Sequence, residues 1–254
     1  MAIIESLRYD PAPSRQPSTQ TDTETGVEAA PVPIRPPVQV PHYLRDVYTW
    51  AYLDPRNVQL LDREWIVGVI LWGQNHRLRD AALSDIEPGQ KVLLPASVYG
   101  DLTPAMARHI GHTGKLDVID VAQVQVDRCR KKLLPYPWAS VRHGDARSPG
   151  GQYDTVCCFF LLHEVPDPEK HAIVNALLNS VRPGGKAVFV DYHKPHWAHP
   201  LKWLTAGVFR FLEPFAISLW KTKIQDYAAH PEGFSWQTET YFGGLYQKTV
   251  AKRP

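Results

Sequence analysis

From Pro88-Gly89 onward, short apolar runs alternate with helix-like stretches, and few architectures can use such a rhythm. The apolar runs read as strands over Lys91 to Ala96, Lys115 to Asp120, Ala139 to His143, Tyr153 to Phe160 and Gly185 to Asp191. Helices are expected between them at Thr103 to Ile110, Gln123 to Leu133 and Glu169 to Val181. Strands joined through helices pair in parallel, so a single α/β unit with a covered sheet is expected. Arg182-Pro-Gly-Gly185 stops the last helix, with Pro as breaker and Gly for backbone freedom.

On either side the pattern differs. Residues 1 to 40 are rich in Pro, Ser, Thr and Gln, carry few large apolar side chains, and read as a disordered tail. Residues 41 to 82 read as amphipathic helices. In Asn57 to Arg79, Val58, Leu61, Trp65, Val69 and Trp72 recur at spacings of three and four, with a join expected near Gly68 or Gly73. Residues 83 to 254 form the α/β domain, with an aromatic-rich helical insertion at 193 to 224 that centres on Trp197 to Trp220. Tyr227 to Trp236 and Tyr241 to Tyr246 are candidates for the last strands.

In a chain of 254 residues this leaves room for one such core. Lys plus Arg total 28 against 26 Asp plus Glu, a balance that suits a small-molecule substrate and gives no reason to expect nucleic acid. Cys157 and Cys158 are adjacent within a strand, where side chains alternate in direction, so a reducing bacterial cytoplasm is the expected compartment. No apolar run reaches the roughly 18 residues of a membrane span. Met1 to Asp10 lacks the features of a secretory signal, and the acids among residues 5 to 28 argue against a mitochondrial presequence.

Ligands of open parallel sheets bind beyond the carboxyl ends of the strands. The first strand runs into Pro95-Ala-Ser-Val-Tyr-Gly-Asp101, Asp120 ends the second, and Gly144-Asp145-Ala146 follows the third. The fourth ends at Leu161-Leu-His-Glu-Val165. In this order, over residues 85 to 192, these pieces resemble a class I S-adenosylmethionine-dependent methyltransferase. The resemblance implies a Rossmann-like three-layer sandwich with a mostly parallel, seven-stranded sheet. Ala96, Val98, Gly100, Asp120, Asp145 and Ala146 are the implied cofactor-binding positions, with Asp120 on the ribose hydroxyls and Asp145 near the adenine amino group. As plain structure, Asp120 would cap a helix and Asp145 would form a turn. The departures are at the first loop: Leu94 stands in place of the usual acid, and Ala96 and Val98 in place of the first two glycines.

Pro95-Ala-Ser-Val-Tyr-Gly-Asp101, Phe159-Phe-Leu-Leu-His-Glu164, Val190-Asp-Tyr-His-Lys-Pro195 and Leu212-Glu-Pro-Phe215 resemble the RquA family of rhodoquinone biosynthesis. That resemblance implies conversion of ubiquinone to rhodoquinone, replacing a ring methoxy by an amino group. S-adenosylmethionine would be the amino donor and manganese the metal. Loss of the acid at Leu94 is expected to free the donor's amino end, and apolar walls lower an amine's pKa toward a nucleophilic neutral form.

Asp191 and His193 are candidate catalytic or metal-binding residues, with His163 and Glu164 a second candidate metal pair. Caps or solvated loop residues are the alternative for each. Tyr99 either hydrogen-bonds a quinone oxygen or packs. Val58 to Trp72 and Trp197 to Trp220, with nearby Lys202, Arg210, Lys221 and Lys223, either belong to the core or attach the chain to the inner face of the cytoplasmic membrane. Two other functions fit the same residues: methylation of a quinone or related ring, and a noncatalytic lipid-binding or scaffold role.

Overall fold

The computed structural model describes residues 41–42 and 55–254. The expected tail at 1–40 and the start of the N-terminal helices, residues 43–54, lie outside them.

Seven strands form one sheet: β1 (Lys91–Leu94), β2 (Lys115–Asp120), β3 (Ala139–His143), β4 (Tyr153–Phe159), β5 (Val181–Tyr192), β6 (Ser235–Tyr241) and β7 (Tyr246–Lys252). Their order is β3-β2-β1-β4-β5-β7-β6. The first five are parallel, while β7 runs antiparallel to both β5 and β6. Strand order reverses between β1 and β4, and a ligand cleft is expected beside that switch. The helices of the sandwich are α3 (Asn75–Leu83), α4 (Leu102–Ile110), α5 (Gln123–Leu133) and α6 (Asp167–Asn179). Val92, Leu93, Leu94, Val118, Ile119, Val156, Val188 and Val190 are fully buried, as strands covered on both faces must be.

Each helix follows from its apolar face. In α4, Leu102, Met106, Ala107 and Ile110 are buried, and the helix stops at Gly111, whose φ of 74° is the left-handed conformation that glycine supplies readily. In α5, Val126, Cys129 and Leu133 are buried while Asp127, Arg130 and Lys131 stay exposed. α6 begins two residues earlier than expected because Pro168 is tolerated in a first helical turn. Cys129, Cys157 and Cys158 are free and buried.

Several boundaries differ from expectation. β1 ends at Leu94 because Pro95, without an N–H, starts the following loop. The Arg182-to-Gly185 turn is a register shift inside β5 and leaves the strand continuous. A Cβ on Gly185 would lie 2.7 Å from the Asp154 carbonyl oxygen, so this close approach needs glycine. The single or double helix expected at 57–79 is three short helices: α1 (Pro55–Leu61), α2 (Glu64–Ile70) and α3. One break falls at Asp62-Arg63. The other is at Trp72-Gly73, where both residues have positive φ, while Gly68 sits inside α2.

The insertion is also shorter in helix than its aromatic content suggested. Pro200 and Pro214 bracket α7 (Lys202–Phe211), and a 3₁₀ stretch, Ala216–Trp220, follows. Tyr227 to Trp236 is mostly turns, and Tyr241 to Tyr246 is largely the hairpin between β6 and β7. Phe242, Gly243 and Gly244 all have positive φ there, so the hairpin lies where a strand was one option.

Candidate functional site

A cleft opens at the carboxyl ends of β1, β2 and β4, and its lining falls into two halves. One half is made by Pro95 to Tyr99, Asp120, Val121, Ala122, Gln125, Asp145 and Ala146. The other is made by Phe159, Phe160, Leu161, His163, Glu164, Tyr192 and Glu213. Leu61, Val67, Ile70 and Leu71, from α1, α2 and the turn after α2, complete the wall.

In the first half, β2 delivers Asp120 to the cleft floor. The backbone N–H of Ser97 donates to Asp120 Oδ2 and that of Ala122 to Oδ1, both at 2.8 Å. Each oxygen keeps a lone-pair direction for a ligand hydroxyl. Burial pushes the Asp120 carboxyl up to about 6, against the opposing pull of those two N–H groups, Arg128 and His143. Asp145 and Ala146 also line the cleft, but Asp145 is already paired: Arg147 Nη2 lies 2.6 Å from Oδ2, and the Arg147 N–H donates to Oδ1. Its charge is therefore largely matched before any ligand arrives.

Two first-loop expectations change. Leu94, expected to border the donor's amino end, is fully buried in the core and does not line the cleft. Val98 and Tyr99 form that wall. Gly100 is likewise not a lining residue: it has a φ of 80°, a Cβ there would meet Val67, and its N–H donates to Asp62 Oδ1 at 3.0 Å. Ala96 and Val98 do line the cleft. The Tyr99 hydroxyl accepts a hydrogen bond from Gln125 Nε2 at 2.9 Å, and burial raises its pKa, so it remains protonated.

In the second half the chain leaves β4 through Phe160, whose φ of 50° costs a non-glycine residue energy and turns the following residues into the cleft. His163 then sits with its ring edge-on to Phe160 and Tyr192, at centroid distances of 5.6 and 5.0 Å. Its Nδ1 lies 3.0 Å from Asp191 Oδ1. Its Nε2 lies 3.8 Å from Glu164 and 3.9 Å from Glu213, beyond hydrogen-bonding reach of either. Burial alone would lower the imidazole pKa, but Asp191, then Glu213 and Glu164, outweigh it and hold the value at about 9. Buried Lys170 helps to bring Glu213 here, donating to the carbonyls of Val165 and Phe215 at 2.7 and 2.9 Å and so tying the 3₁₀ segment to the loop after β4.

The expected metal set does not assemble. Asp191 is 1% exposed and does not line the cleft. Its Oδ1 takes the Tyr192 N–H and His163 Nδ1, and its Oδ2 takes the N–H groups of Leu162 and His163, which leaves little ligating capacity. His193 is also outside the cleft, with Nδ1 2.9 Å from the Gly244 carbonyl oxygen. Among the described residues, Glu64, His76 and Asp101 form the one group whose ligand atoms lie mutually within 4.8 Å. That group is remote in role, with Asp101 paired to Arg79 and His76 to Glu64. Asp191 and His193 therefore do not fit as manganese ligands, whereas His163 and Glu164, the second candidate pair, both line the cleft with Nε2 3.8 Å from the Glu164 carboxylate.

Glu213, Ser97, Phe160 and Tyr192 belong to the cleft without having been singled out for it. Glu213 carried a signal, being a lone acid in an aromatic stretch. Phe160 and Tyr192 lay within the strings that carry the resemblance but drew no role of their own, since aromatic residues at strand ends usually pack.

A methyltransferase-domain family model matches residues 92–185. The chain is 27% identical over 165 residues to a demethylmenaquinone methyltransferase of Bacillus licheniformis, covering 63% of this chain and 70% of that protein. It is 32% identical over 114 residues to the ubiquinone/menaquinone biosynthesis C-methyltransferase UbiE of Shewanella halifaxensis, covering 42% and 45%. The chain spans about half the length of most of the curated relatives it matches. Among solved structures, an S-adenosylmethionine-dependent methyltransferase from Aquifex aeolicus superposes with a TM-score of 0.53 at 17% identity, covering 79% of this chain and 99% of that one. The chain thus has the Rossmann-like fold of class I S-adenosylmethionine-dependent methyltransferases, and its sequence is similar to methyltransferases of quinone biosynthesis.

Proposed function

We propose that this chain is an S-adenosylmethionine-using transferase that acts on ubiquinone, replacing a ring methoxy by an amino group to give rhodoquinone, with S-adenosylmethionine as the nitrogen donor. The observation that carries this reading is the Asp191–His163 pair in the acceptor half of the cleft. An imidazole with a pKa of about 9 is cationic at neutral pH. When an amine attacks the methoxy-bearing carbon, a C–N bond forms and the ring's electrons move onto a carbonyl oxygen. A fixed cation whose Nε2 has only the longer ion-pair contacts to Glu164 and Glu213, at 3.8 and 3.9 Å, can donate to that oxygen and stabilise it. Collapse then breaks the carbon–methoxy bond, and methanol leaves with the amine's proton. The nitrogen is then still bonded to the donor's α-carbon. Transfer of two electrons from that C–N unit into the quinone ring, with loss of the α-proton, gives an imine. Water splits the imine into the ring's free amino group and a 2-oxo acid, leaving the ring as its hydroquinone.

Methylation of a ring carbon makes the opposite demand, because the ring must lose a proton, and a cationic histidine is a poor base. In the donor half, Asp120 would take the ribose hydroxyls and Ala122 and Ala146 would flank the base. Ala96 and Val98 stand where glycines would let the backbone close on the methionine end, and this supports an altered pose of that end.

The surface supports a lipid-borne substrate. Trp197, Trp203 and Phe211 are each about 80% exposed, with Leu204 and Leu212 about half exposed. Lys202 lies over the Trp203 ring and Arg210 is exposed, as at a bilayer interface. Among the described residues no helix is long and apolar enough to cross a membrane, so the reading is peripheral attachment.

C-methylation is the second reading, favoured by the similarity to C-methyltransferases of quinone biosynthesis. Incubation with ubiquinone in mixed vesicles and S-adenosylmethionine labelled with ¹⁵N at the amino group separates the two. Labelled aminoquinone and methanol are expected. A ring that gains a methyl group, with S-adenosylhomocysteine and no ¹⁵N, overturns amination.

A further inference from the structure

The loop that stands in place of a glycine turn is gripped by charges, one of them from outside the α/β unit. The geometry points to Asp62 as a positioning residue of the donor site: with Arg128 and Lys132 it fixes the Pro95-to-Gly100 loop against the amino-acid end of S-adenosylmethionine. This inference rests on the donor reading above.

Asp62 lies in the break between α1 and α2. Its Oδ1 accepts from the Gly100 N–H at 3.0 Å, Arg128 Nη1 at 2.6 Å and Lys132 Nζ at 2.5 Å. Lys132 Nζ also donates to the Gly100 carbonyl at 2.6 Å, so both backbone groups of Gly100 are engaged. Arg128 Nη2 donates to Ser97 Oγ at 3.0 Å and to the Val98 carbonyl at 3.1 Å, and its guanidinium lies 4.4 Å from the Tyr99 ring centroid. Four consecutive loop residues, Ser97 to Gly100, are thus each held by this cluster. The three charged side chains are only 11–19% exposed, where such bonds are strengthened by the low local dielectric.

Two consequences follow from the charges. A glycine turn takes its shape from backbone freedom, whereas Pro95, Ala96, Val98 and Tyr99 have little, so side chains must set the loop's path. Burial and the Arg128 charge both lower the Lys132 pKa, and Asp62 opposes them. Without Asp62 two partly buried cations would face one another, and the loop they hold would shift.

The expected nucleoside positions, Asp120, Ala122, Asp145 and Ala146, lie outside the clamped loop and meet it through the Ser97 N–H on Asp120. The clamp should therefore matter more for the amino-acid end than for the nucleoside. Calorimetric titration of the full chain with S-adenosylmethionine and with 5′-methylthioadenosine, which lacks the amino acid, tests this. Asp62→Asn is expected to weaken S-adenosylmethionine by roughly tenfold or more, the scale of one charge-assisted bond. Methylthioadenosine affinity should hold within about twofold, below the scale of one such bond, and Asp62→Glu should recover part of the loss. Lys132→Met, which leaves Asp62 and Arg128 paired, should show the same selective loss on a smaller scale, and it decides the matter if Asp62→Asn does not fold. Equal weakening of both ligands, or of neither, overturns the clamp. If the unaltered protein binds no S-adenosylmethionine, the donor reading fails instead.

Discussion

Asp120 and Asp191 occupy equivalent places, each a buried acid at the carboxyl end of a parallel strand, yet the fold uses them in opposite ways. Asp120 faces the cleft, accepts one N–H on each oxygen and is raised to about 6 by burial, so its charge is costly until a ligand shares it. Asp191 faces inward and accepts four N–H groups, the ring nitrogen of His163 among them. An acid with unused acceptor capacity is a binding group, whereas one that is saturated is a scaffold that sets the charge of its neighbour. On the proposed function, the donor half of the cleft is built on the first kind and the acceptor half on the second.

The largest expected effect breaks this contrast directly. Asp191→Ala removes the counter-charge of a buried imidazolium and orphans several backbone donors, so denaturant unfolding should show a loss of about 3–5 kcal/mol. Asp120→Asn removes a charge that burial disfavours but sets its amide NH2 against one of the two backbone donors, so the two effects oppose and its loss should be well below that of Asp191→Ala. Similar losses in the two variants would mean that both acids are structural and that the division drawn here is wrong.

The two acids also mark how far the sequence was legible. The strand–helix rhythm after Pro88-Gly89 located five strands because a sheet covered on both faces needs continuous apolar runs, and that pattern is local. The strands β6 and β7 were blurred because their pairing depends on partners distant in the chain, such as Lys248 on Asp85, and because aromatic residues gather in the hairpin as well as in the strands. Asp120 was readable because a strand-end acid has a general role in this class of sheet. Asp191 looked the same, but its orientation was set by the loop after β4 folding back so that Leu162 and His163 donate to it. Asp62 gave no sign at all, since its partners lie 38 to 70 residues away.

A smaller effect sharpens the acceptor side through pH. The His163 pKa in the folded chain, about 9, lies above the ordinary 6.5, so the folded state keeps a proton that the unfolded state releases between those values. That stabilisation is fully present below about pH 6.5 and is lost as pH rises through about 9. Between pH 7 and 8.5 the chain should lose about 2 kcal/mol of stability from this group. Parallel urea titrations of the unaltered chain and of His163→Asn measure it, and the variant's slope over the window should be close to zero. Equal slopes would place the titrating group elsewhere.

The smallest effect concerns the donor side and runs the other way. Hydroxyl groups that donate to Asp120 favour its carboxylate, so donor binding lowers a pKa that burial has raised to about 6. Affinity should be constant above about pH 7 and fall as pH drops through 6, by roughly threefold to fourfold between pH 7 and 5.5, which is under 1 kcal/mol. Methylthioadenosine should show the same fall as S-adenosylmethionine, because both carry the ribose. Asp120→Asn should bind both more weakly with no slope across the window. A slope that survives in that variant, or one confined to S-adenosylmethionine, would move the titrating group to the amino-acid end of the donor and leave the ribose contact without support.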